Sequence, residues 1–196
     1  MNRLSALCVF CGSNSGADPV YTENARRMGQ VLAHRGITAV YGGGRVGLMG
    51  ALADSVLDSG GRVIGVIPEA LKRREVAHQQ LTELHVVQTM HERKQLMSDL
   101  SDGFVAMPGG FGTFEEFCEV LTWSQLGLHA KPCGLLNVKG YYTGLLNLFD
   151  HAVAEQLLHP RNRAMVIAEP EPRTLLDAMQ RYSAPAVEKW LTPETT

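Results

Sequence analysis

The chain has 196 residues, of which 45% are hydrophobic and 19% are charged, and its net charge is -2. These proportions are typical of a globular protein with one sizeable core, and we predict a single domain over residues 1–196. The small net charge argues against a nucleic-acid partner. No apolar run reaches the ~20 residues that a membrane-spanning helix needs. We therefore expect a cytoplasmic protein that contacts no membrane.

Short apolar runs alternate with helical patterns along the whole chain. The predicted strands are 4–10, 37–41, 62–67, 84–87, 103–107, 134–138 and 164–168. The predicted helices are 19–35, 47–59, 90–101, 113–127 and 142–158, followed by shorter ones at 172–181 and 185–190. Continuous apolar strands that alternate with helices indicate a parallel sheet covered on both faces. We predict an α/β fold with one doubly wound, Rossmann-like parallel sheet and helices on both faces.

In such a sheet, ligands bind beyond the C-terminal ends of the strands. The loops at this edge are 11–18, 42–47, 68–80, 88–90 and 108–113. The loop 68–80 is the longest irregular segment and is charged, so we expect a mobile loop near the ligand.

The most informative loop is the run Pro108-Gly-Gly-Phe-Gly-Thr-Phe-Glu-Glu116, which lies between a predicted strand and a predicted helix. Glycines at a helix N-terminus let backbone N–H groups approach a phosphate closely. Glu116 has two possible roles. It either completes a capping box with Thr113, or it is a carboxylate one turn from the phosphate that supports chemistry on the attached sugar.

Two further loops contain candidate ligand groups. Residues 42–47 form a G-x-G-x-x-G motif but lack the acidic residue that a dinucleotide site needs about 20 positions later. Gly43 and Gly44 are therefore candidates for a mononucleotide or sugar-phosphate site, with a simple tight turn as the alternative. Ser13, in the polar loop 11–16, either contacts ribose or phosphate or belongs to an ordinary turn.

Arg93 is the charged residue whose position is hardest to explain without a function. Thr89 and Glu92 form a T-x-x-E capping box, which predicts a helix start. On that helix Arg93 falls within the apolar face defined by Met90 and Met97. A charge on a buried face must be paired or must face a polar cavity, so Arg93 either points at a bound ligand, forms a buried salt bridge or extends its charged end to water. Lys94 lies at the flank of this face, where it either reaches a phosphate or is solvated.

The remaining residues suggest no other chemistry. The histidines are scattered without a metal-ligand spacing, and no lysine has a setting that favours a Schiff base. The four cysteines include a C-x-x-C pair at Cys8 and Cys11, but Cys8 lies inside a strand pattern, so we expect structural thiols. We expect neither a metal nor a cofactor.

These motifs resemble the LONELY GUY (LOG) family of cytokinin riboside 5'-monophosphate phosphoribohydrolases. The resemblance rests on residues 42–50, Met90-His-Glu-Arg-Lys94 and the P-G-G-x-G-T-x-x-E run, and it extends over nearly the whole chain. It implies a catalytic pair, Arg93 and Glu116. It also implies substrate contacts from Glu75, Lys94, Gly109, Gly110, Phe111, Gly112, Thr113, Phe114, Glu115 and Thr122.

The reaction implied by this resemblance is hydrolysis of the N-glycosidic bond of an N6-substituted adenosine 5'-monophosphate, in a homodimer. A carrier of a nucleotide-like cofactor, such as a molybdenum-cofactor carrier, is the main alternative. It would need the same glycine loops but no Arg93 and Glu116 pair.

Overall fold

The computed structural model describes residues 3–72 and 77–185. Its strands are β1 (Ala6–Phe10), β2 (Thr38–Tyr41), β3 (Val63–Pro68), β4 (Glu83–Val87), β5 (Phe104–Ala106), β6 (Cys133–Leu136) and β7 (Val166–Glu169). Its helices are α1 (Pro19–His34), α2 (Gly47–Asp58), α3 (Met90–Asp99), α4 (Phe111–Gln125), α5 (Thr143–Ala154), α6 (Pro160–Arg163) and α7 (Pro172–Arg181). Two 3-10 turns occupy Glu69–Leu71 and Val138–Gly140.

The strands form one seven-stranded sheet in the order β4-β3-β2-β1-β5-β6-β7, and every neighbouring pair is parallel. From the central β1, the chain first builds the sheet outward through β2, β3 and β4. It then returns to the other side of β1 and continues through β5, β6 and β7. The predicted doubly wound architecture is therefore confirmed, with its switch point between β1 and β5.

Helices cover both faces of the sheet, because side chains alternate along each buried strand. Leu7 and Val9 of β1 join the core formed with α1, α2 and α7. Cys8 and Phe10 point the other way and join the core formed with α3, α4 and α5. In the described part of the chain, no helix is both long and apolar enough to cross a bilayer.

The seven predicted strands are confirmed with bounds that differ by at most two residues. The helix predicted over 142–158 is shorter, because Gln156 adopts a positive φ of 61° and ends α5. The short helix α6 follows and was not predicted. The helix predicted over 185–190 falls outside the described residues beyond 185.

Candidate active site

A cavity of about 330 Å³ opens at the C-terminal edge of the sheet, at the switch point between β1 and β5. Residues from the ends of β1 and β2, from α3 and from the start of α4 line it. The lining comprises Val9, Phe10, Cys11, Gly12, Ser13, Gly42, Met49, Leu71, Met90, Arg93, Met97, Gly110, Phe111, Gly112, Thr113, Glu115 and Glu116. The switch point is where open α/β sheets bind ligands, so the cavity lies where the sequence predicted it.

The loops that follow β1 and β5 pack directly against each other. The Gly12 N–H donates to the Pro108 carbonyl oxygen at 3.0 Å. A Cβ at Gly12 would lie 3.2 Å from the Gly109 Cα, so the glycine permits this close approach. The contact brings Ser13 into the same cavity as Gly110.

Helix α4 begins at Phe111, two residues earlier than predicted, with Gly110 as its N-cap. No side chain caps this end. The proposed capping box of Thr113 and Glu116 is therefore wrong, because both residues already lie within the helix. The first backbone N–H groups of a helix have no intrahelical acceptor, and the residues that carry them here line the cavity, so they are available as donors for a ligand.

Two glycines of this turn face open space. A Cβ added at Gly110 or at Gly112 would have no heavy atom within 4 Å. Phe111 lies between them with 93% of its surface exposed, at the rim of the cavity. Nothing in the surrounding protein requires glycine at these two positions, which leaves room for a ligand group as the reason.

Arg93 lies on α3 and is 5% exposed, as the helical pattern predicted. Its Nε donates to the Val66 carbonyl oxygen at 3.1 Å, and its Nη2 donates to the Gly42 carbonyl oxygen at 2.8 Å. Its Nη1 approaches the Met90 sulfur at 3.8 Å. Carbonyls at the ends of two strands thus fix the guanidinium at the wall of the cavity.

Glu116 is half-buried on α4 and lines the same cavity. Besides burial, its carboxylate raises the pKa of two nearby thiols, in β1 and in the loop that follows it. Burial chiefly raises the pKa of Cys11, and the Glu116 carboxylate raises it further. Burial and Glu116 likewise raise the pKa of Cys8, while Arg93 lowers it. Cys8 therefore lies within the electrostatic influence of both Arg93 and Glu116, and the raised pKa values argue against reactive thiols.

Protein atoms occupy the space beside the glycines of the motif at 42–47. A Cβ at Gly42 would overlap the Arg93 guanidinium, and one at Gly47 would overlap the backbone of Ser13. Gly43 has a φ of +79° and lies against Ile67, while Gly44 forms a β-bridge with Ala77. These contacts favour the structural interpretation of this turn, and neither Gly43 nor Gly44 lines the cavity.

Four other candidate residues lie away from the cavity lining. Lys94 binds Glu115 and Glu119 at 2.6 and 2.9 Å. Phe114 packs against two tyrosine rings. A Cβ at Gly109 would overlap the Thr113 hydroxyl. Thr122 lines a different, apolar cavity of about 380 Å³ between α4, α5 and α6. Glu75 lies outside the described residues.

Several residues that shape the site could not be recognised from local sequence patterns. Met49 and Leu71 line the cavity, and Met90 and Met97 do so from the apolar face of α3. The helical pattern identified the last two only as core positions. The Tyr141 hydroxyl contacts the loop before α4 at the Gly109 carbonyl oxygen.

Comparisons with known proteins show the family to which this chain belongs. A family model described as "Possible lysine decarboxylase" matches residues 49–179. A probable cytokinin riboside 5'-monophosphate phosphoribohydrolase from Oryza sativa subsp. japonica is 50% identical, over 92% of this chain and 81% of its own. A cytokinin riboside 5'-monophosphate phosphoribohydrolase from Rhodococcoides fascians is 54% identical, over 83% of this chain and 82% of its own. The chain belongs to the LOG family.

Solved structures share the fold of this LOG-family chain at low sequence identity. The molybdenum cofactor carrier protein from Chlamydomonas reinhardtii has a TM-score of 0.69 at 20% identity, over 90% of this chain and 96% of its own. The molybdenum cofactor binding protein from Rippkaea orientalis has a TM-score of 0.67 at 22% identity, over 90% and 95%. At these identities the likeness shows the fold alone.

Proposed function

We propose that this LOG-family protein is a phosphoribohydrolase. It hydrolyses the N-glycosidic bond of adenosine 5'-monophosphates, including N6-substituted cytokinin forms, to the free base and ribose 5-phosphate. One observation carries the proposal: Arg93 and Glu116 line a single cavity together with the open glycines at the start of α4. Relatives that are 50% and 54% identical bear the name of this activity.

The 5'-phosphate binds at the N-terminus of α4. The N–H groups of Gly110, Phe111 and Gly112 supply donors, and the positive end of the helix dipole favours the anion. Thr113 and Ser13 line the same cavity and offer hydroxyls to phosphate or ribose. Glu115, at the outer side, interacts with Lys94, which moderates its negative charge near the phosphate.

Glu116 acts on the sugar. It lies on α4 less than two turns after the phosphate donors, so a phosphate held there brings C1' of the ribose toward the carboxylate. Cleavage of the C1'–N9 bond passes through an oxocarbenium-like state, whose positive charge an ionised carboxylate stabilises. The same carboxylate orients the water that attacks C1'.

Arg93 holds the opposite wall of the cavity. Its bonds to the Val66 and Gly42 carbonyls keep the guanidinium in place without movement during the reaction. A fixed cation near the site positions Glu116 or stabilises the departing base, and such preorganised groups contribute most in a water-poor cavity.

Two alternatives are less well supported. The family description mentions lysine decarboxylation, which as a Schiff-base reaction needs a neutral amine. Burial opposes the charge of Lys94, but its bonds with Glu115 and Glu119 prevail and raise its pKa, so this lysine stays protonated. A cofactor carrier would use the glycine loop but gives no reason for Arg93 and Glu116 to share the cavity.

The proposal includes a homodimer in the cytoplasm, without nucleic-acid or membrane partners. On the surface formed by α5 and the turn after it, Leu148 and Leu157 are 59% and 85% exposed. Thr122 lies beside them, about 16 Å along α4 from Phe111 at 1.5 Å per residue. Pairing across this surface would bury the leucines and place the second copy beside Thr122. A monomeric mass by light scattering at micromolar concentration would contradict the dimer.

The decisive experiment compares isopentenyladenosine 5'-monophosphate with isopentenyladenosine, by following release of the base. Losing two or three charge-assisted hydrogen bonds, each worth ~1.5–3 kcal/mol, predicts that kcat/KM is at least ~100-fold lower for the nucleoside. We expect kcat to fall as well, because the remote phosphate orients the sugar at Glu116. Similar kcat/KM values for both substrates would refute the phosphate site.

A further inference from the structure

The loop that precedes α4 is held from outside by two consecutive tyrosines. The Tyr141 hydroxyl donates to the Gly109 carbonyl oxygen at 2.5 Å. The Tyr142 hydroxyl donates to the Met107 carbonyl oxygen at 2.6 Å. Both tyrosines follow the 3-10 turn Val138–Gly140, far from the loop in sequence.

The two bonds differ in what they orient. In a trans peptide the carbonyl oxygen and the N–H of the next residue point in opposite directions. The Gly109 carbonyl therefore shares its peptide plane with the Gly110 N–H, whereas the Met107 carbonyl shares its plane with Pro108, which has no N–H. Holding the Gly109 oxygen on the outside directs the Gly110 N–H toward the opposite side, where Gly110 lines the cavity.

The local chain does not fix this peptide by itself. Gly109 and Gly110 flank it, and glycine accepts a wide range of backbone angles. Gly110 also has open space beyond its Cα. The Tyr141 hydroxyl donates to this peptide from outside the loop and so restricts it to one orientation.

Tyr141 is itself held in position. Its ring makes edge contacts with the rings of Tyr21 and Tyr142, with centroids 5.8 and 5.1 Å apart. The preceding Lys139 binds Asp18, the N-cap of α1, at 2.6 Å. The ring thus has aromatic contacts on two sides, although 39% of the residue is exposed.

We infer that Tyr141 is a positioning residue that orients the Gly109–Gly110 peptide for recognition of the substrate's 5'-phosphate. This inference rests on the proposed phosphate site at the start of α4. Tyr142, by contrast, satisfies a buried carbonyl and stabilises the core. The neighbouring tyrosine therefore supplies a matched control.

The test compares Tyr141→Phe with Tyr142→Phe, each of which removes one hydroxyl. For each protein, kcat/KM is measured with isopentenyladenosine 5'-monophosphate, the dissociation constant of ribose 5-phosphate is measured by calorimetry, and thermal unfolding is recorded. Free ribose serves as the ligand without phosphate.

We expect Tyr141→Phe to lower kcat/KM for the nucleotide and to weaken ribose 5-phosphate binding, each by about tenfold. Ribose binding should not change. Tyr142→Phe should lower the unfolding temperature and leave the preference for ribose 5-phosphate over ribose intact. If Tyr141→Phe kept that preference, or weakened both ligands equally, the inference would be overturned. If the wild-type protein itself showed no preference for ribose 5-phosphate, the proposed phosphate site would fail instead.

Discussion

The two glycine-rich turns at the C-terminal edge of the sheet have similar sequences but different surroundings. In the turn after β2, the space where Cβ atoms would lie is occupied by Arg93 at Gly42 and by Ser13 at Gly47. In the turn after β5, Thr113 occupies the corresponding space at Gly109, but the space is open at Gly110 and Gly112. The first turn uses glycine so that protein can pack against protein, and the second leaves room for a ligand. A glycine motif therefore identifies a close approach but not what approaches.

The largest effect should follow a substitution near the open glycines at the start of α4 that leaves the packing of the protein intact. We expect Glu116→Gln to lower kcat by about 1000-fold, because the amide cannot stabilise the oxocarbenium-like charge. The free energy of unfolding should change by less than about 1 kcal/mol, since Glu116 does not cap α4. Base release and urea unfolding measure the two quantities.

Glu119→Gln is the matched control for that variant, three residues later on the same helix. It removes a partner of Lys94 at a residue that does not line the active-site cavity. We expect it to keep turnover close to wild type. Turnover of Glu116→Gln within threefold of wild type would remove Glu116 from the mechanism.

A substitution in the turn after β2, where protein atoms fill the space beside the glycines, should lower both stability and turnover. In Gly42→Ala the new methyl group overlaps the Arg93 guanidinium and displaces it from two carbonyl oxygens. We expect a loss of about 1–3 kcal/mol in unfolding free energy and about a 100-fold loss in kcat/KM. Gly144→Ala in α5, where a Cβ meets no neighbour, should not destabilise the protein. A Gly42→Ala protein with normal stability would break the distinction between the two turns.

The corresponding substitution in the turn after β5 is Gly112→Ala. The methyl group enters empty space at the second residue of α4, where alanine favours the helix, so stability should stay equal or rise by up to about 1 kcal/mol. Because the methyl occupies the space proposed for the phosphate, kcat/KM for the nucleotide should fall about tenfold. The nucleoside should react as with wild type. Unchanged kinetics with the nucleotide would mean that this space holds no ligand group.

The last prediction concerns stability alone, at the far end of α4, which is closed by protein contacts. The ring Nε2 of His129 donates to the Val120 carbonyl oxygen at 2.9 Å, and its Nδ1 accepts from the Lys131 N–H at 3.1 Å. Burial is the main cause that lowers the pKa of His129 from 6.5 to about 4. The folded protein therefore binds this proton less readily than the unfolded chain.

Its contribution to stability is complete above a pH of about 6.5 and is lost as the pH falls toward about 4. After a discount for partial exposure, we expect a loss of about 2 kcal/mol by urea unfolding between pH 7 and pH 4. His129→Gln should lose less over the same range. Equal losses in both proteins would assign the acid sensitivity to other groups.

Sequence predicted the strands well because a parallel strand buried on both faces has a continuous apolar pattern, as in β1 and β3. The start of α4 was harder. Thr113 and Glu116 have the spacing of a capping box, and glycines disfavour a helix. The sequence pattern therefore predicted a helix start two residues later than the observed one. The observed start at Phe111 has no side-chain cap.

The candidate site shows the same limit of local patterns. Arg93 was recognisable because a charge on an apolar helix face needs a polar environment. The role of the glycines at 42–47 was not, because their neighbours Arg93 and Ser13 come from distant parts of the chain. Tyr141 was missed for the same reason, since only the folded chain brings its hydroxyl to Gly109.

The central position of β1 has a consequence for how the protein folds. Its partner β5 arrives about half a chain length later, and the Asp102 carboxylate binds the Ala6 N–H across 96 residues of sequence. Closing so long a loop slows folding, because its entropy must be overcome before the contact forms. Until then, one edge of the innermost strand lacks its partner, and the cavity lacks the residues that the start of α4 contributes.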